Sequence, residues 1–392
     1  MMTKKDADRV VENNSAFRKR ELVLDGFNIA IYNYRVAEPK DFLLKSGEDN
    51  FDALEMRGLT FTRPVGGSGE WLCYPHLPKF FNLNQTPRTQ YAVLSKKRIR
   101  TVYPKVDGSM ITFIPLGTGF HAKTRRGFDT PQALQAQKYY DDNIEFQAFV
   151  KFCYAHGVIP IFEYVGPRNR IVVPYPNTGL VLLQARNICD GSICTDDAYA
   201  HAKKYGVKTS FDFAYFATIP NTLDTLVDST TVDTGDTIIE GWVVEFYGGT
   251  TVKVKTHKYF VYHKILTESL YRENIIVEAI FSGTIDKMLS IVPSTGDIGE
   301  RKLYVEALKL FMLQHFSDTV SKIQSLVRGY DGNRKDFASS HINWIYFPIL
   351  MRAIGGRSGW ENSLISFILK RTYHLEKAKV FLNIIGFNTG GV

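Results

Sequence analysis

The hydrophobic pattern of this chain changes its period near residue 265, and the change divides what the chain can fold into. Before that point, apolar and β-branched residues come in short runs broken by turn residues. Residues 27–34 (FNIAIYNY), 59–62, 110–115, 158–165 (VIPIFEYV), 179–185, 238–246 and 251–255 each suit a strand. Two stretches, 130–140 and 145–156, read as helices between them. After it, Leu313, Phe316, Val320, Ile323 and Val327 fall at steps of three and four, one stripe of a helix that Gly329 would stop. Residues 275–291 and 361–381 also read as helical. A chain of 392 residues can bury two cores. The expectation is an α+β protein, with a domain of antiparallel sheets and helices over 1–262 and a smaller all-α domain over 263–392.

Charge and cysteine usage narrow the class. Lys and Arg number 48 against 40 Asp and Glu, a net +8 spread over both parts of the chain. That balance suits a polyanionic partner without requiring one. The four cysteines form no CxxC pair, which argues against a zinc site or a disulfide framework and for reduced thiols. The polar start MMTKKDADRVVENNS has no apolar core of a signal peptide, and no apolar run approaches the roughly 18 residues of a membrane span. A soluble cytoplasmic monomer with no membrane partner is expected.

The informative stretch is Tyr103-Pro104-Lys105-Val106-Asp107-Gly108-Ser109. A lysine amine is nucleophilic only when deprotonated, so a site must lower its pKa or supply compensating charge. Asp-Gly-Ser suits a tight turn holding such a lysine at a pocket mouth. Alone, Lys-x-Asp-Gly arises by chance in roughly one chain in ten of this length, and a solvated surface lysine explains it as well. Lys253 and Lys255, two apart in a strand pattern, face one side, either as an exposed basic face or toward an anion. Glu163 interrupts an apolar run, where a carboxylate is costly to bury without a partner. Glu240 opens a strand after Ile238-Ile239. Arg57 and Lys79 are surface cations or phosphate ligands, for which the arginine fork is well shaped. Phe80 and Phe81 suit a core, one of them bordering a purine site.

Taken in order, these blocks resemble the nucleotidyltransferase superfamily of ligases and capping enzymes, and within it RNA ligase 1 of the T4-like phages. The resemblance covers about residues 23–290. It rests on Asn33-Tyr34-Arg35-Val36-Ala37, Met56-Arg57-Gly58, Lys79-Phe80-Phe81-Asn82, the Lys105 motif, Phe162-Glu163-Tyr164-Val165-Gly166-Pro167, Glu240-Gly241-Trp242-Val243 and Val252-Lys253-Val254-Lys255. It implies that residues 1–262 are an adenylyltransferase domain and that Lys105 forms a covalent lysyl-AMP. Tyr34, Arg57, Lys79, Glu163, Glu240, Lys253 and Lys255 would bind ATP, with Glu163 on the ribose. Lys123 and Tyr259 would lie near the reaction centre, and the three cations Lys123, Arg125 and Arg126 could grip an RNA phosphate. Glu240 and Asp286 would be candidate ligands of Mg2+ or Mn2+, although a helix N-terminal acid explains Asp286 as well.

The implied reaction joins 5′-phosphate and 3′-hydroxyl RNA ends, nicked tRNA among them, through an adenylylated RNA end. The setting would be tRNA repair in the cytoplasm of an infected cell. A helical tail in place of a β-barrel disfavours DNA ligases and capping enzymes. Two alternatives stay open: a nucleotidyltransferase that adenylylates or caps without ligating, and an inactive RNA-binding relative.

Overall fold

The first strand, β1 (Phe17–Leu24), runs against β2 (Phe27–Tyr34) through a two-residue turn at Asp25 and Gly26, both at positive φ. Asp-Gly is the pairing that such a tight hairpin favours. The sheet continues through β3 (Leu59–Pro64) and β4 (Leu72–Tyr74), all antiparallel. β1 was invisible to periodicity because its side chains are mostly exposed and four of its eight residues are charged.

β5 (Phe81–Asn82) and β6 (Ile99–Pro104) belong to a different sheet, completed late in the chain. Before that comes a third layer, from β7 (Ser109–Leu116), β8 (Gly119–Lys123), β9 (Val158–Val165) and β10 (Gly179–Asn187), in the order β10-β9-β7-β8. β9 is central and almost wholly buried. Its Pro160 falls outside the β7 pairing, which covers only residues 161–164 of β9, so the missing N–H breaks no ladder bond there. Helices Pro131–Asp141 and Ile144–Ala155 press Ala136, Tyr140, Phe146 and Phe149 onto Phe113 and Phe162 of this sheet. Each such buried ring contributes about 1.5–3 kcal/mol.

β11 (Gly241–Phe246) and β12 (Thr251–Lys255) are a hairpin joined through Gly248 and Gly249, both at positive φ. They complete the sheet β5-β12-β11-β6. Its pairings are antiparallel apart from β5, which runs parallel to β12. Glu240 does not open a strand: β11 begins at Gly241 (φ +133°), where a Cβ would lie 2.1 Å from the Val254 carbonyl oxygen. That forced glycine leaves Glu240 just outside the ladder.

The computed structural model describes residues 1–214, 220–294, 296–356 and 358–389. The chain divides into two units, Met1–Phe260 and Val261–Val392. All three sheets lie in the first.

The second unit contains helices Glu273–Phe281, Ile285–Ser290, Gly296–Arg328, Arg334–His341, Phe347–Ile354, Trp360–Arg371 and Leu375–Ile384. The stretch 275–291 is two helices because Gly283 adopts φ +73°, and 361–381 is broken between Arg371 and Leu375. The long helix buries Val305, Leu308, Met312, Thr319 and Ile323. Of the predicted stripe, Ile323 lies on that face while Leu313 stays 43% exposed. The period was read correctly and the face was misplaced by about one residue.

Candidate active site

Lys105 follows β6 and precedes β7, so it stands where the chain crosses from one sheet into another. Its N–H donates to the Gly241 carbonyl at 2.9 Å, which fixes the backbone to the start of β11. Each neighbour in the motif has a separate job. Val106 is buried against Val165 and Val181. Gly108 cannot be larger, because a Cβ there would lie 2.3 Å from the Tyr164 carbonyl oxygen. Asp107 does not serve a local turn, as its sequence context suggests. Its buried carboxylate accepts the N–H groups of Val172 and Val173 at 2.8 and 2.9 Å and the Tyr259 hydroxyl at 2.8 Å. Burial, reinforced by the charge of Glu240, raises its pKa.

Glu240, only 3% exposed, holds two lysines. Oε2 lies 2.8 Å from Lys105 Nζ and Oε1 lies 3.1 Å from Lys255 Nζ. Glu163, 8% exposed on β9, stands opposite Met110 of β7. Burial pushes its carboxyl up to about 8, Lys105 opposes this, and Glu240 adds to it. Desolvation works against the Lys105 ammonium, but Glu240 and then Glu163 outweigh it, so its pKa is raised. Of the two routes, a lowered pKa or compensating charge, the site takes the second. In the ligand-free site the carboxylates win, and the amine is charged.

A second group is all cationic. Lys253, on β12, places Nζ 4.8 Å from the centre of the Phe80 ring, and Arg57 places its guanidinium 5.7 Å from the same ring. Lys79 lies 5.8 Å from the Tyr34 ring centre and 5.3 Å from that of Phe81. Phe81 is core, whereas Phe80 is half-buried and carries two cations. Burial lowers Lys253 well below the usual lysine range, helped by Arg57, Lys105, Lys79 and Lys255. Burial with Arg57 and Arg125 brings Lys79 down to about 8. Among the described residues, Arg57, Lys79 and Lys253 make no ion pair with a carboxylate. Half-buried cations without counter-charge are costly, and an arriving anion relieves that cost.

The remaining expected residues fall differently. Tyr259, on helix His257–Thr267, is buried against Asp107, and Lys255 lies 4.8 Å from its ring centre. Lys123 is 0% exposed, donates to the Gly58 carbonyl at 2.8 Å and is brought down by burial to about 7. It supports the loop after Arg57 and offers no ammonium to an RNA phosphate, which corrects that part of the reading. Asp286 lies in the first turn of Ile285–Ser290 in the second unit, 75% exposed, with Lys309 Nζ at 2.5 Å. Among the described residues, no group of three or more His, Cys, Asp or Glu is placed to hold a metal. Glu240 and Asp286 each engage lysines. Of the residues that sequence reasoning passed over, Asn169 accepts from Ser109 and donates to the Tyr164 carbonyl, and the Tyr175 hydroxyl accepts the Asp107 N–H. Neither had a pattern that marked it.

Fold and site together define a protein with a carboxylate-paired lysine next to an array of uncompensated cations, an arrangement for handling phosphates. The RNA ligase family model of T4 type matches residues 55–270, more than half of the chain, and the chain belongs to that family. A protein of Thermovibrio ammonificans, provisionally named an RNA ligase, is 26% identical over 207 residues. The match covers 53% of this chain and 50% of that protein, so the chain spans half the length of this curated relative. Among solved structures, an archaeal ATP-dependent RNA ligase (form 2) covers 93% of this chain and 95% of its own, at 13% identity and a TM-score of 0.43. The Naegleria gruberi RNA ligase with PPi covers 43% and 53%, at 14% identity and a TM-score of 0.34. Likeness at these TM-scores carries no argument for function.

Proposed function

We propose that the protein is an ATP-dependent RNA ligase whose nucleophile is Lys105. The observation that carries this reading is the pairing of the Lys105 amine with Glu240 at 2.8 Å beside Lys253, Lys79 and Arg57, cations that lack a carboxylate partner. A triphosphate laid along those cations would place its α-phosphorus toward Lys105. The amine passes its proton to the Glu240 carboxylate 2.8 Å away and attacks that phosphorus, forming the N–P bond as the bond to pyrophosphate breaks. Lys253 and Lys255 offset the charge that develops on the leaving group. AMP then passes from lysine to a 5′-phosphate RNA end, and a 3′-hydroxyl displaces it. Splitting one ligation into displacements is the usual gain of covalent catalysis.

Glu163 suits the ribose hydroxyls, because a carboxyl near neutrality can both accept and donate. The protein assembles no cation site of three ligands among its described residues, so a divalent ion would enter as the companion of ATP. The helical unit after residue 260 is the candidate reader of a tRNA-like body. No helix among the described residues is long and apolar enough to cross a membrane.

Incubation with α-labelled ATP tests the reading. Wild type should take up label, Lys105→Ala should not, and wild type should circularise a 5′-phosphorylated RNA. Label retained by Lys105→Ala would overturn the assignment of the nucleophile.

A further inference from the structure

We infer that Arg125 is a third arm of the triphosphate clamp, acting with Arg57 and Lys79 on the phosphates that leave as pyrophosphate. The inference rests on the ATP-dependent reading above and adds a residue that the resemblance does not assign to ATP.

Three observations carry it. First, the backbone at Arg125 is laid against the Arg57-Gly58 turn: a Cβ at Gly58 would lie 2.7 Å from Arg125 Cα. Only glycine, here at φ +82°, lets the two segments approach this closely. Second, Arg125 and Lys79 address the same ring, at 5.1 and 5.8 Å from the centre of Tyr34. Third, the guanidinium is half-buried and has no carboxylate partner among the described residues; its one side-chain hydrogen bond is Nη1 to Asn33 Oδ1 at 3.5 Å, the outer limit for such a bond. Arg20, by contrast, meets Asp129 in a two-pronged pair at 2.9 and 2.7 Å. A planar fork held among cations with its donors barely used fits two phosphate oxygens.

Lys253 and Arg57 share the Phe80 ring, and Lys79 and Arg125 share the Tyr34 ring, so a triphosphate with its α-phosphorus at Lys105 would run past Lys253 to Arg57 and Lys79. Arg125, on the ring that Lys79 also faces, would extend that end. It therefore serves nucleotide binding and pyrophosphate release, and has no part in sealing once AMP is on the RNA.

The test separates the steps with Arg125→Ala and Arg125→Lys, each checked by thermal melting. Lysyl-AMP formation by Arg125→Ala should need about tenfold or more ATP, the loss expected for a charge-assisted contact. Inorganic pyrophosphate should inhibit that step about tenfold less well than in wild type. Sealing of pre-adenylylated RNA should stay within about twofold of wild type, and Arg125→Lys should fall between. An unchanged ATP requirement in Arg125→Ala, or a loss of sealing as large as the loss of ATP affinity, would overturn the inference, the latter pointing to an RNA phosphate or to the fold. Wild type that takes up no label would sink the functional reading itself.

Discussion

The two halves of the site differ in what they need. Around Lys105, charge is settled inside the protein: Glu240 spans Lys105 and Lys255, and Asp107 collects two backbone N–H groups and a tyrosine hydroxyl. Around Phe80 and Tyr34, Arg57, Lys79, Arg125 and Lys253 face aromatic rings rather than carboxylates. The first half pairs its lysines with carboxylate inside the protein, and the second half does not. The nucleophile is thus held ready but protonated, while binding energy is stored as cation repulsion that an incoming polyanion releases.

The sharpest way to break this contrast is Glu240→Gln. It removes the charge that holds both lysines, and label transfer from ATP at saturation should fall about 100-fold or more. A rate within about threefold of wild type would reduce the pairing to a structural role. Asp107→Ala should cost about 3 kcal/mol of stability, because three buried donors lose their acceptor at once. Tyr259→Phe, which removes one of those donors, should cost about 1 kcal/mol in the same denaturant titration.

Lys253→Met should act in opposite directions on the two readouts. ATP affinity should drop about tenfold, while the ligand-free protein gains about 1 kcal/mol from losing a buried cation among cations. A loss of stability there would mean that Lys253 is already compensated.

The smallest effect is in pH dependence. Glu163 titrates near 8 when folded, against its ordinary 4.5, so the folded protein holds that proton more tightly than the unfolded chain does. The stabilisation is fully present below about pH 4.5 and is lost as pH rises through about 8. Glu163→Gln has no proton to lose. Its Tm relative to wild type should rise between pH 5 and pH 9, at about 2–4 °C for each kcal/mol. A flat difference would mean that Glu163 is ionised throughout.

The motif lysine, the β12 lysine pair and the two glutamates were legible as candidates because each stands in a short local sequence pattern. The pairing of Lys255 with the same glutamate as Lys105 was not legible, since it depends on β11 starting one residue after Glu240. Asp107 looked like a turn former because its three donors come from residues 172, 173 and 259, far along the chain. Lys123 read as one of three cations open to an RNA phosphate because nothing near it in sequence predicts that β8 tucks it under Gly58. In the helical unit, spacing gave helix existence, while the breaks required knowing where Gly283 and residues 372–374 leave the helical conformation.

One consequence follows from where Lys105 sits. Its main chain is tied to Gly241 in the sheet of β6 and β11, whereas Glu163 rides on β9 in the sheet that β7 enters at Ser109, directly after Gly108. Amine and carboxylate therefore belong to different sheets joined by a four-residue crossing. Any rocking of one layer against the other is converted directly into a change in their separation. A probe pair placed on β9 and β11 would read that lever while nucleotide enters and pyrophosphate departs.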